Sequence, residues 1–330
     1  MKRLLIATLV VALAASFAVV PTVAADSGYV LWGVTGVSFG TDNEYSEVFK
    51  VDTSTGVVTM VNDDPSNPLY SDIAVTPDGK VYAVGRTSTD HNFTDLFRLD
   101  PNTGAVMTTV ADAFSNAGFH HVNALCAESD SSLLAIEGGG VCLAWGTANP
   151  RLLRIALDGS GNLSSITSLG NIDASGAASM CSDGDLDKDP QSGKWYAGFW
   201  ADAGSEMIEL NLASPGSSLV VSQSNIQWQG GFAYTSDGTA YAGSWAARYL
   251  YGVNITGGGS AIVYDLSGDL AGNIFGLSQD KEEAPSVGGT GIPTDKLTLV
   301  MPWILAAVAL LVLAASSLIV WSRRRHQANV

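Results

Sequence analysis

Between residues 28 and 280 the chain is written in short runs in which apolar and polar positions alternate, broken by Asp-Gly, Ser-Gly and Thr-Gly clusters. A period of two is that of a strand with one buried face, and the breaks are turn chemistry. One hairpin recurs. It is clearest in "EVFKVDTSTGVV" (47–58) and "DLFRLDPNTGAV" (95–106), and weaker in "RLLRIALDGSGNLSSI" from Arg151, "EMIELNLASPGSSLVV" from Glu206 and "YLYGVNITGGGSAIVY" from Tyr249. A second hairpin lies between these copies: "IAVTPDGKVYAVG" from Ile73, "ALCAESDSSLLAIEG" from Ala124 and "FAYTSDGTAYAGSW" from Phe232. "SMCSDGDLDKDPQSGKWYAGFW" from Ser179 is its fourth copy, lengthened by an insertion. Each unit therefore predicts four antiparallel strands.

Val48, Leu96, Leu152, Met207 and Leu250 are equivalent positions, and their spacing is close to the roughly 40–50 residues of one propeller blade. A lone blade leaves two apolar faces bare, and repetition around an axis buries both. The fifth unit ends early: "IFGLSQD" (274–280) supplies its first strand, and the chain then leaves. "GYVLWGVTG" (28–36) has the character of the missing second strand. Pairing the two would close the ring and remove its long unpaired edge. The expectation is an all-β propeller of five four-stranded blades closed by the N-terminal strand. A six-bladed ring with an eroded repeat around 114–147 is the alternative.

The two ends read differently. Residues 1–25 carry Lys2 and Arg3, an apolar run, then Val23 and Ala25 as small residues at a cleavage site, the pattern of a secretory signal. An uncleaved N-terminal anchor is the competing reading. After a linker at 281–296, residues 297–321 are uncharged and mostly aliphatic, long enough for a helix across the ~30 Å hydrocarbon core. Trp303 and Trp321 suit the two interfaces, and Arg323, Arg324 and Arg325 in the tail 322–330 favour the cytoplasmic side. The body, 26–280, is then expected at the cell surface.

The tail "GIPTDKLTLVMPWILAAVALLVLAASSLIVWSRRR" resembles the tripartite C-terminal anchoring signals of prokaryotic surface proteins. Some such tails are cut by exosortase-like or archaeosortase-like enzymes, but "GIPTDK" departs from their best-known tripeptides. The resemblance implies a retained anchor, with processing as the alternative. The repeats, for example "LFRLDPNTGAV" followed by "IAVTPDGKVYAVG", resemble the extracellular propellers of prokaryotic surface proteins related to quinoprotein-like and lactonase-like repeats. That resemblance implies the fold and no particular activity.

Charge narrows the partners. With 16 Lys and Arg against 32 Asp and Glu the net charge is −16, which disfavours phosphate backbones, so nucleic acid is not expected. Cys126, Cys142 and Cys181 allow one bridge at most and no disulfide scaffold. Asn92, Asn162 and Asn254 open N-glycosylation sequons.

In a propeller the turns joining first to second and third to fourth strands share one face, and the remaining loops share the other. "TPDGK", "TSDGT", "DTSTG" and "DPNTG" populate the first, as plain hairpin chemistry. The longer, unlike loops at 36–46, 86–94, 111–121, 138–150 and 225–229 populate the second, and loop variation on a repeated scaffold is where binding residues gather. At the axis on that face the aligned residues are Asp72, Asn123, Ala178, Gly231 and Asn273. Near them come His120, His121, Arg86, Trp200, Trp228 and Trp245, with Trp145 in the longest loop. Indole rings beside Asp, Asn and Arg suit the faces and hydroxyls of a sugar, while tryptophans packed between blades are the competing reading.

Asp183, Asp185, Asp187 and Asp189, at every second position of "DGDLDKDPQSG", resemble an Asp-rich calcium loop. Lys188 replaces the usual turn glycine, and Lys194 the bidentate Glu. Bound calcium would stiffen the turn face. No nucleophile elbow, phosphate loop or zinc signature occurs. The expected function is a membrane-anchored surface propeller that binds a glycan or a neighbouring envelope protein. The alternative is an exported hydrolase or lyase with a shallow axial site in which Asp72 acts.

Overall fold

The computed structural model describes residues 28–36, 45–87, 94–138, 150–175, 185–201, 204–224, 226, 229–244 and 246–280. The chain divides into Met1–Ala284 and Pro285–Val330, and every described residue belongs to the first unit. The signal at 1–25, the linker, the span at 297–321 and the basic tail lie outside the described residues. Among those described, no helix is long and apolar enough to cross a membrane.

Five sheets form. β1 (Val30–Gly36), β2 (Val48–Asp52) and β3 (Val58–Asn62) build blade 1 with the last strand, β21 (Asn273–Gln279), innermost. Blade 2 runs β4 (Leu69–Val75), β5 (Val81–Arg86), β6 (Asp95–Leu99), β7 (Val106–Val110) from axis to rim. A short helix, α1 (Ala113–Asn116), leads to blade 3: β8 (Val122–Ser129), β9 (Ser132–Glu137), β10 (Arg151–Leu157), β11 (Leu163–Asn171). β12 (Ala174–Ser175) then lies parallel along the rim of blade 4, which consists of β13 (Leu186–Lys188), β14 (Trp195–Ala201), β15 (Gly204–Leu210) and β16 (Ser218–Ser224). β17 (Gln229–Tyr234), β18 (Ala240–Ser244), β19 (Ala247–Val253) and β20 (Ser260–Asp265) are blade 5.

The five-bladed expectation holds, and so does its closure. β1 pairs antiparallel with β21 on one side and β2 on the other. Asp280 fastens the join: its carboxylate accepts Trp32 Nε1 at 3.1 Å and Lys50 Nζ at 3.0 Å, and its amide donates to Val30 O at 2.8 Å. The six-bladed alternative fails because the described part of 114–147 is α1 and the two inner strands of blade 3.

The core is five separate layers, one between each pair of neighbouring blades. Tyr82, Leu96, Phe114, Leu125 and Leu153 fill blades 2–3, Leu134, Leu152, Trp195 and Phe199 fill 3–4, and Met207, Phe232 and Tyr234 fill 4–5. Leu31, Phe49, Tyr241 and Leu277 fill blades 5–1, and Trp32, Tyr70, Ile73 and Phe97 fill 1–2. The inner strand β17 is accordingly buried at every residue, whereas the rim strand β7 is almost wholly exposed. This gradient is why the inner strands read as runs of Ala, Val, Ile and Phe while the rim strands alternate.

The turns between third and fourth strands also lock blades together. Gly56 (φ 72°) has no Cβ because one would stand 2.3 Å from the Tyr264 ring of the preceding blade. Tyr29, at the start of the ring, donates to Thr53 Oγ1 in this same turn at 3.1 Å. Chain entry beside Tyr29 and chain exit after Gln279 are therefore both on the face of short turns.

Candidate functional site

At the axis the pairing registers slip at matching places: between Tyr70 and Asp72, Val122 and Ala124, Gln229 and Phe232, and Ile274 and Gly276. Asp72, Ala124, Gly231 and Gly276 stand at these bulges, and with Asp185, immediately before β13, they form one axial layer. Three of the five are small, and the remaining two are acids whose side chains fill the space the others leave. A Cβ on Gly276 would stand 2.2 Å from Asp72 Oδ1, and one on Gly231 would stand 2.7 Å from the Gly276 carbonyl carbon.

Asp72 and Asp185 are fully buried. Asp72 Oδ1 accepts the Ile73 amide at 2.7 Å and Oδ2 the Leu125 amide of blade 3. Asp185 Oδ1 accepts the Leu186 amide at 2.6 Å, and Oδ2 accepts Phe232 of blade 5 at 2.7 Å and Leu277 of blade 1 at 3.4 Å. The two carboxyl groups interact, each altering how readily the other holds its proton. Two buried carboxylates that repel favour keeping one proton between them over ionising together. Burial pushes both groups well above the usual carboxylate range, with the Asp72 charge raising Asp185 further and Asp187 adding repulsion on Asp72.

One layer deeper, Asp187 Oδ2 accepts the Tyr234 amide at 2.7 Å, and Oδ1 accepts Lys188 N at 2.7 Å and Cys126 Sγ at 3.0 Å. Ser278 Oγ accepts Val75 N at 3.0 Å. Together these bonds tie each blade to its neighbour across the axis. The acids act as staples inside the ring.

The polar residues of the loop face mostly hold loops in place. Glu47 accepts the amides of Ala271 at 3.0 Å and Gly272 at 3.2 Å, and Asp95 accepts Thr87 N at 3.1 Å and Asp112 N at 2.8 Å. Glu137 takes the His120 amide at 2.8 Å and a two-point ion pair from Arg151, whose guanidinium lies 4.8 Å from the Phe119 ring centre. His120 itself is exposed. His121 is half-buried with left-handed backbone (φ 52°), a strained conformation for a residue other than glycine.

Several sequence-based placements shift. Asp72 is axial as expected, but sealed. Asn123 sits at its bulge, one residue before the axial Ala124, and Asn273 opens β21 three residues before the axial Gly276. Ala178 is displaced by Asp185 as the axial residue of blade 4 and, with Trp145, Trp228, Trp245 and Asp183, lies outside the described residues. Trp200 lies on β14, its side chain outside what is described. Arg86 ends β5 at the loop face, half-buried.

Within the described part of the Asp-rich stretch, Leu186–Lys188 is strand β13, flanked by Asp185 and Asp189. Asp185 and Asp187 turn their oxygens to backbone amides, and Asp189 closes the β13–β14 turn by accepting Gln191 N at 2.8 Å and Ser192 Oγ at 2.5 Å. Among the described residues, no group of three or more His, Cys, Asp or Glu is arranged to hold a metal. Sequence reasoning missed Asp185 as the partner of Asp72, although "DLDKDPQSGKWY" aligns with "DIAVTPDGKVY" once the turn is allowed one extra residue.

No family model matches the chain, and no curated protein does. Among solved structures it is similar to TolB from Acinetobacter baumannii, at 15% identity and TM-score 0.42 over 72% of this chain, spanning 53% of the TolB chain. It is similar also to the gluconolactonase XC5397 from Xanthomonas campestris, at 14% identity and TM-score 0.45 over 74% of this chain and 78% of that one. A third is the PQQ-bound aldose sugar dehydrogenase from Streptomyces coelicolor, at 16% identity and TM-score 0.36 over 55% and 57%. The likeness is one of fold, and no activity carries over with it.

Proposed function

We propose that this chain is an exported, membrane-anchored β-propeller whose loop face recognises a ligand or a neighbouring envelope protein, with glycans as the favoured ligand class. The observation that supports this most is the division of labour between the two faces. Short, repeated turns and both ends of the described ring occupy one face, and the unlike loops of the sequence connect strands at the other. Arg86, His120, His121, Asn123 and Asn273 belong to that loop face, and the sequence adds Trp145, Trp200, Trp228 and Trp245, a side-chain type that stacks on sugar faces. The hydrolase alternative loses support because Asp72, the acid it needs, has both oxygens bonded inside the ring and no exposed surface.

The test is to array sugars and envelope extracts against the full chain in lipid nanodiscs. Binding weakened by Arg86→Ala and Asn123→Ala, but not by changes in the turns at Asp78 or Asp100, is the expected result. Turnover of ester, lactone or glycoside substrates that is lost in Asp72→Asn would instead establish the enzyme.

A further inference from the structure

Two of the sequons identified in the sequence fall in described residues, Asn162-Leu163-Ser164 and Asn254-Ile255-Thr256. Each lies at a turn between the third and fourth strands of a blade, β10–β11 and β19–β20, on the face of short turns. Both asparagines are exposed. Their surroundings nevertheless differ in ways that decide which can react.

At Asn254 the carboxamide oxygen is engaged and the nitrogen is not part of those bonds. Oδ1 accepts the Gly257 amide at 2.8 Å and the Thr256 hydroxyl at 3.3 Å. Donors on the oxygen stabilise the charge that builds there when Nδ2 gives up a proton, so the nitrogen becomes a better nucleophile. Gly257 keeps the approach open, since a Cβ there would stand 2.7 Å from Nδ2, and Gly259 has nothing within 4 Å of the place a Cβ would take. Ile255 is buried between blades 4 and 5, which holds its two sequon neighbours outward.

At Asn162 the nitrogen is occupied, donating to Asp158 Oδ2 at 3.3 Å. The turn is also pinned to blade 2: Tyr82 Oη donates to Gly161 O at 2.8 Å and Arg98 Nη1 to Ser160 O at 2.8 Å. Asn162 Nδ2 is thus held against Asp158 and its turn against blade 2, which keeps this nitrogen from a donor.

We propose that Asn254 is an N-glycosylation site of this protein and that Asn162 is largely passed over. The donor is an oligosaccharide activated as a polyprenyl phosphate or pyrophosphate ester. Asn254 Nδ2 attacks the anomeric carbon, the C–N bond forms, and the C–O bond to phosphate breaks with its electron pair on the leaving phosphate. The Nδ2 proton passes to a base of the transferase. The sugar stands on the turn face, so the loop face stays uncovered for binding. This inference rests on the export of the body described above.

The full chain is purified from the membranes of its own cells and its peptides are weighed, while external protease on intact cells reports export separately. A mass shift made of whole sugar residues on the Asn254 peptide, absent in Asn254→Gln and Thr256→Ala and retained in Thr256→Ser, is expected. The Asn162 peptide should be mostly bare, and the melting temperatures of the variants unchanged. Export with a bare Asn254, or with Asn162 the more heavily modified, overturns the glycan inference and leaves the surface reading standing. Protection of the whole body from external protease overturns both.

Discussion

A shared axial proton makes the stability of the ring fall as pH rises, opposite to the trend set by ordinary paired carboxylates. The unfolded chain loses its Asp protons near pH 3.9, whereas the folded pair of Asp72 and Asp185 keeps one well above that value because both groups are buried and repel each other. Wherever the folded state holds a proton that the unfolded state has lost, stability declines with pH. One proton corresponds to about 1.4 kcal/mol for each pH unit. For a domain of this size that is roughly 3–6 °C of melting temperature per unit.

Asp52, Asp78 and Glu128 work the other way. Hydrogen bonds to Asp52 from Ser54, to Asp78 from Lys80 and Thr76, and to Glu128 from Arg154 outweigh burial and hold these groups below their ordinary values. Their stabilisation is complete above the unfolded carboxylate range and is lost only as pH falls through it. Above about pH 5 these three carboxylates no longer change, so the part of a falling slope that Asp72→Asn or Asp185→Asn removes belongs to the axial pair. The assay is urea unfolding of the full chain in mild detergent at unit steps of pH, for the native protein and for Asp72→Asn and Asp185→Asn. An amide supplies its own N–H and needs no shared proton, so each variant should flatten the slope. A native slope that is level or rising from pH 5 to 8, or a falling slope that survives in both variants, refutes the shared proton.

Gly276→Ala should be among the costliest single-methyl changes, at the upper end of the roughly 1–3 kcal/mol seen for overpacking, because its Cβ would also lie 2.6 Å from the Asp72 Cα. Gly268→Ala, with nothing within 4 Å, is the control and should change the urea midpoint by less than about 0.5 kcal/mol. Glu47→Ala strips the Ala271 and Gly272 amides of their acceptor and should cost about 1–3 kcal/mol, with faster hydrogen exchange at those two amides. Cys126, buried with its sulfur directed at Asp187, should react with iodoacetamide only at the rate of global opening, measured as labelling against urea.

The repeat was legible because a blade must present the same apolar pattern to both neighbours, and the permuted N-terminal strand was legible because the fifth copy stopped after one strand. The site was harder to read, for a specific physical reason. Asp at every second position is the spacing of ligands around a cation in a calcium loop, and it is equally the spacing of one face of a strand. At Asp185 and Asp187 the strand is what forms, and those acids face amides of the next blade. The discriminating signal lay outside the acids, in the Gly-Lys-Xaa-Tyr that follows both "DIAVTPD" and "DLDKDPQS". That match fixes Asp185 opposite Asp72 before any coordinate is known. The glycines at 231 and 276 then acquire a reason that turn chemistry does not give, since Gly276 leaves room for the Asp72 carboxyl group and Gly231 for the backbone of β21. A sequence that places two acids and three small residues at the five axial positions thus specifies a closed axis.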